Sequence, residues 1–120
     1  MAKNGKQGFS RIVSATGYTI QGIRAAWLHE EAFRQEMVGS VLLIPLGLYL
    51  ANSRVEAALL VGSVMLLPIV ELLNSAVEAA IDRIGSEQHE LSGRAKDMGS
   101  AAVAFTMMLI AVVWLIILVP

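Results

Sequence analysis

A chain of 120 residues allows one domain, and with 56% hydrophobic and 16% charged residues it is too apolar for an ordinary soluble one. The absence of cysteine excludes disulfides and thiolate chemistry, and His29 and His89 alone are too few for a multi-histidine metal site within one chain. A formal net charge of −1 with no basic run gives nucleic acid no footing.

Taken in order, residues 1–7 read as a frayed polar tail with no cleavable leader, because Arg11, Gln21 and Arg24 interrupt the segment after it. Over 8–29, Phe9, Ile12, Val13, Thr16, Ile20, Ile23 and Trp27 recur at helical spacing within a narrow sector, with Arg11, Ser14, Tyr18, Gln21 and Arg24 outside it. That pattern predicts an amphipathic helix lying in a membrane interface, with Trp27 at headgroup level. His29 to Glu36 is a polar cluster in which Glu30 and Arg34 have the spacing of a surface i,i+4 pair.

A first membrane span is predicted over 31–51, its apolar part running from Met37 to Ala51 with Pro45 inside it. Asn52, Ser53 and Arg54 make a turn, and a second span comes next over 55–83 with Pro68 in its middle. Residues 84–96 read as a polar connection with Gly85 and Gly93 near its ends, and 97–119 as a third, apolar span. Lys3, Lys6, Arg11, Arg24 and Arg34 precede the uncharged part of the first span, Arg83, Arg94 and Lys96 flank the connection, and Arg54 stands alone in the turn. The positive-inside rule therefore puts the N-terminus and the 83–96 connection in the cytoplasm and the C-terminus outside.

The second span carries the feature that needs explaining. At about 100° per residue, Glu71, Asn74, Ser75, Glu78 and Asp82 share one face of a helix. An acid at membrane depth costs about 2.5–3.5 kcal/mol, so a repeated one points to function. Single Asn or Ser residues glue helices together; repeated acids rarely do. No Walker loop, protein-kinase glycine loop, Gly-x-Ser-x-Gly or paired-histidine metalloprotease motif accompanies the stripe. Oxygen-only ligands suit Mg²⁺, which commonly binds through one or two carboxylates plus substrate phosphates. A further, partly desolvated carboxylate suits proton abstraction from an alcohol, and Lys96 and Arg11 suit phosphate oxygens. The residues thus support phosphoryl transfer from a nucleotide to a lipid hydroxyl, and leave open a stripe that translocates protons or cations.

Glu71-Leu-Leu-Asn-Ser-Ala-Val-Glu-Ala-Ala-Ile-Asp82, continuing through Arg83-Ile-Gly-Ser-Glu and His89-Glu-Leu-Ser-Gly-Arg-Ala-Lys-Asp-Met-Gly-Ser-Ala-Ala102, closely resembles the signature of the bacterial integral-membrane diacylglycerol kinases. Gly8-Phe-Ser-Arg-Ile and Ile23-Arg-Ala-Ala-Trp-Leu-His-Glu-Glu-Ala-Phe-Arg-Gln-Glu36 are similar to that family too, so the resemblance covers nearly the whole chain. It departs at Ile81, where Val is usual, at Gln88, where an aromatic is common, and at Pro68.

The resemblance implies an all-α integral membrane protein, with three transmembrane helices and an N-terminal amphipathic surface helix, assembled as a homotrimer in the bacterial inner membrane. It implies transfer of the γ-phosphate of ATP to 1,2-diacylglycerol, giving phosphatidate, with Mg²⁺. By motif position, Glu71 would be the general base, Glu30 and Glu78 would hold the metal that bridges the ATP phosphates, and Asn74 would orient the acids. Arg11, Tyr18, Glu30, Glu78, Glu87, Gln88, His89, Lys96 and Asp97 would bind the nucleotide. Arg11, Arg24, Ala25, Ala26, Trp27, Ala32, Phe33, Arg34, Gln35, Glu36, Glu71 and Ser100 would line the lipid site. The nearest rival is undecaprenol kinase, which shares the motif and acts on another lipid alcohol. A rival of a different class is a non-enzymatic helical channel or subunit, against which the Lys96-Asp97 pair beside the polar connection argues.

Overall fold

The computed structural model describes residues 7–85 and 89–120. Among them there is no strand, and four helices succeed one another: α1, Phe9–His29; α2, Glu31–Leu50; α3, Arg54–Ile84; α4, Glu90–Leu118.

Local chemistry sets the boundaries. The chain enters α1 at Gly8, whose φ of 61° lies where glycine is unstrained. One extended residue, Glu30 (φ −119°, ψ 104°), separates α1 from α2. At the start of α3 the Ser53 hydroxyl accepts from the backbone N–H of Glu56 at 3.1 Å, while the Glu56 carboxylate accepts from the N–H of Asn52 at 3.1 Å. This is a close variant of the reciprocal Ser-x-x-Glu cap. Arg83 in the last turn of α3 complements the helix dipole. The polar stretch before the last apolar run turns helical at Glu90, because His89 Nδ1 accepts from the N–H of Leu91 at 3.0 Å and caps α4. Gly93 therefore lies inside a helix, its N–H bonded to the His89 carbonyl at 2.9 Å.

Helix α3 is the axis of the molecule, with α2 and α4 packed along it and α1 touching only lightly. Phe33 of α2 and Leu60 and Val64 of α3 are fully buried. Small polar residues enter the contacts by closing their hydroxyls onto their own helix: Ser40 onto the Glu36 carbonyl (2.8 Å), Ser63 onto that of Leu60 (2.9 Å) and Thr106 onto that of Ala102 (2.8 Å). Towards the far end three helices meet. A Cβ on Gly47 of α2 would lie 3.3 Å from the Leu60 Cβ and 3.4 Å from the Trp114 ring, and the Trp114 indole donates to the Leu60 carbonyl at 3.2 Å.

Two helices among the described residues are long and apolar enough to cross a membrane, α3 with a mean hydropathy of 2.0 and α4 with 2.8. The outward side of α4, including Phe105, Met108, Leu115 and Ile116, is exposed, as a lipid-facing helix requires. At 1.5 Å per residue the 31 residues of α3 span about 46 Å. A hydrocarbon core is about 30 Å thick, so roughly ten residues of α3 project beyond it. Helix α1 keeps Phe9, Ile12, Ile20 and Trp27 exposed along the stripe expected from the sequence.

Candidate active site

The polar half of α3 faces the C-terminal half of α1 across an open cavity of about 810 Å³. Glu30, Glu78 and Asp82 line it together with Ala25, Ala26 and Ser75. The amphipathic spacing of α1 turns its small residues, Gly22, Ala25 and Ala26, towards this space and leaves room between the helices. Burial, followed by the charges of Glu78, Glu71 and Asp82, pushes the Glu30 carboxyl above its ordinary range, with His29 opposing weakly. A carboxylate among three others gains from a cation placed between them.

Glu71 is 4% exposed, and the Glu36 carboxyl of α2 lies against it. One Glu36 oxygen, Oε2, is buried without a partner. One turn along, the Asn74 amide donates to Glu78 Oε1 at 3.1 Å, leaving its own Oδ1 buried and unpartnered. That amide lies against Gly99 of α4, where an added Cβ would overlap it. Lys96 Nζ reaches Asp82 Oδ1 at 2.8 Å, tying the start of α4 to the end of α3.

The structure thus gathers Glu30, Glu36, Glu71, Asn74, Glu78 and Lys96 at one end of the bundle. Ala25 and Ala26 line the same cavity, and Phe33 is buried near the start of α2. Arg34 is used elsewhere: its Nη1 donates to the Trp27 carbonyl at 2.7 Å and the Leu28 carbonyl at 3.5 Å, and no Glu30–Arg34 pair forms. Gln35 donates to Glu31 at 3.4 Å on the outer face. Arg24, Trp27, Ala32, Asp97 and Ser100 are exposed near this end. Arg11 and Tyr18 are exposed on α1; Arg11 lies 18 residues, about 27 Å of helix, before His29, away from the acids of its own chain. His89 caps α4 and lines a separate 240 Å³ hollow. Glu87 and Gln88 lie outside the described residues.

Asp82, Ser75 and Gly99 join the site without having been assigned to it by sequence. Asp82 and Ser75 were visible in the stripe, whereas Gly99 gave no signal, because its role is a contact between two helices.

The prokaryotic diacylglycerol kinase family model matches residues 17–118. The chain belongs to that family. It is 53% identical over 115 residues to the diacylglycerol kinase of Escherichia coli K12, covering 96% of this chain and 94% of that protein. It is 49% identical over 114 residues to the diacylglycerol kinase of Pseudomonas aeruginosa, covering 95% and 93%. With that of Helicobacter pylori 26695 the identity is 39% over 108 residues, covering 90% and 84%. Family membership makes this chain an enzyme, a membrane-associated lipid kinase that uses a lipid substrate and ATP. Neither rival, the undecaprenol kinase nor the channel, draws support from these relatives.

The family's kinase chemistry calls for a divalent metal, and the residues present fit one. Among the described residues no three acidic or imidazole side chains enclose an ion by themselves. The donors on offer are hard oxygens: of the three cavity-lining carboxylates Asp82 is held by Lys96, which leaves Glu30 and Glu78. Such a set suits an ion that completes its shell with water and substrate phosphates.

Proposed function

We propose that this enzyme transfers the γ-phosphoryl group of ATP to the free hydroxyl of 1,2-diacylglycerol, giving phosphatidate and ADP, with Glu71 as general base. The observation that carries the reading is the burial of Glu71, 4% exposed in an apolar helix and one and two turns from Asn74 and Glu78. An acid kept buried in an apolar helix costs stability, so chemistry is the reason to retain it.

In this mechanism the Glu71 carboxylate takes the hydroxyl proton of the lipid. The freed oxygen forms a bond to the γ-phosphorus, and the bond from that phosphorus to the β–γ bridging oxygen breaks, releasing ADP. Glu30 and Glu78 would hold Mg²⁺, which when bound would supply positive charge to neutralise the transferring phosphate. Asn74 keeps Glu78 in place by its hydrogen bond. Lys96 and Asp97, at the start of α4, bind the nucleotide, with Lys96 exchanging Asp82 for a phosphate oxygen. Arg11, Tyr18, Glu87, Gln88 and His89 complete the nucleotide contacts. Arg24, Ala25, Ala26, Trp27, Ala32, Phe33, Gln35, Glu36 and Ser100 border the lipid.

The same reading makes α2 the third membrane span, since its 20 residues match about 30 Å of hydrocarbon. It places the protein in the bacterial inner membrane as a homotrimer, with the N-terminus and the 83–96 connection cytoplasmic and α1 at the surface.

The test is ATP-dependent phosphate transfer in detergent–lipid micelles with Mg²⁺, offering diacylglycerol and undecaprenol separately. Phosphatidate is the expected product, falling roughly 10²–10⁴-fold with Glu71→Gln. Product from undecaprenol alone overturns the substrate, and full activity in Glu71→Gln overturns the base.

A further inference from the structure

Among the described residues, four buried side chains carry a hydroxyl: Ser40, Ser63, Ser75 and Thr106. Ser40, Ser63 and Thr106 donate to carbonyls three or four residues back on their own helices, the usual way a hydroxyl is accommodated inside a helical bundle. Even the exposed Thr16 and Thr19 of α1 do the same. Ser75 does not. Its residue is 8% exposed, and its Oγ is buried with no hydrogen-bond partner. A backbone carbonyl was available to it four residues back, at Glu71, and was left unused.

Its position says what the hydroxyl is kept for. Ser75 lines the cavity with Glu30, Glu78 and Asp82. It lies four residues after Glu71 and three before Glu78, about 6 Å and 4.5 Å along the same helix face. If Glu71 meets the lipid hydroxyl and Glu78 stands by the nucleotide phosphates, the group in flight passes between them, beside residue 75. The neighbouring donor on α3 is already committed, since the Asn74 amide holds Glu78. The Ser75 hydroxyl is the uncharged donor left there for a substrate.

We infer that Ser75 is a further catalytic residue, whose hydroxyl donates a hydrogen bond to an oxygen of the transferring phosphoryl group. The inference rests on the phosphoryl-transfer reading above and adds a contact to it. In the resting enzyme the hydroxyl is unsatisfied, and the substrate satisfies it. A donor aimed at charge that develops only during transfer stabilises the transition state more than the bound substrate.

The experiment compares the full-length parent, Ser75→Ala, Ser75→Thr and Glu71→Gln in the same micelles, measuring kcat, KM for diacylglycerol and thermal stability. Ser75→Ala is expected to lower kcat on the order of 10- to 100-fold. Its KM for diacylglycerol stays close to the parent's, and its melting temperature is equal or higher, because an unpartnered buried donor has been removed. Ser75→Thr, which keeps the hydroxyl, restores part of the rate. A lowered melting temperature with kcat retained makes Ser75 structural and overturns the inference. An unchanged kcat in Ser75→Ala, with Glu71→Gln inactive, overturns the inference and leaves the kinase reading standing. A parent that phosphorylates no lipid removes both.

Discussion

Gly99 and Asn74 illustrate how finely the site is set at the level of single residues. Asn74 gives its amide N–H to Glu78, and its other face lies where a Gly99 side chain would be. An Ala at 99 forces the amide aside, and Glu78 loses the bond that orients it. Gly99→Ala is therefore expected to lower kcat/KM about tenfold and to raise the Mg²⁺ concentration needed for half-maximal rate, a loss typical of disturbed support around a metal ligand. Asn74→Ala removes the overlap together with the bond. The double variant should thus be no worse than Asn74→Ala alone, and additive losses in this cycle would sink the account. The acids and Asn74 were legible in the sequence because a 3.6-residue period puts them on one face. Gly99 was not, because nothing in the order of residues says which point of α4 crosses α3 at Asn74.

The joint between α1 and α2 is an element-scale device built on one residue. Glu30 is the extended N-cap of α2: its carbonyl still accepts from the Arg34 N–H at 3.2 Å, but its side chain leaves the helix face, and the ion pair suggested by spacing does not form. That geometry holds only when both residues sit in one helix. Arg34 turns instead to the carbonyls of Trp27 and Leu28, which have no intrahelical donor at the end of α1. A guanidinium there also meets the negative end of the α1 dipole. The consequence is that Arg34 fixes the angle at which α1 leaves α2, and with it the aim of Glu30 into the cavity. Arg34→Ala should cost about 1 kcal/mol of stability, in line with one lost hydrogen bond to a charged group near the surface. Because the chain has no cysteine, spin labels at Gln21→Cys and Val41→Cys report that angle directly. Their distance distribution should broaden in Arg34→Ala and narrow again in Arg34→Lys. An unchanged distribution, with a raised KM for diacylglycerol, would return Arg34 to the lipid contacts that the resemblance implied. The apolar helices were readable from composition and period, but the polar first turns of α4, residues 90–96, were read as a connection. The tilt of α1 was not readable, since it hangs on one side chain reaching back across a break.

Across the whole molecule, composition declared the membrane and the stripe declared chemistry, yet one chain leaves its nucleotide contacts far apart. Lys96 reaches Asp82 within its own chain, close to Glu78. Arg11, by contrast, lies about 27 Å of helix from the acid end of α1. The apolar face of α4 is open, and α1 packs lightly. If Arg11 contacts the same nucleotide as Glu78, the straightforward geometry is that a neighbouring subunit supplies it. Mixing Glu71→Gln chains with Arg11→Ala chains probes this. Each is expected to be nearly inactive alone. Co-assembled in equal amounts, about a quarter of the sites of the proposed cyclic trimer would combine an intact Glu71 with an intact Arg11 from the neighbour, by random assortment. Recovery of about a quarter of the parental phosphatidate formation is therefore the expected outcome. No recovery, in mixtures shown by crosslinking to have exchanged subunits, would confine each site to one chain. In that case α1 must bend towards α3 when ATP binds, and the Gln21–Val41 label distance would shorten on adding nucleotide.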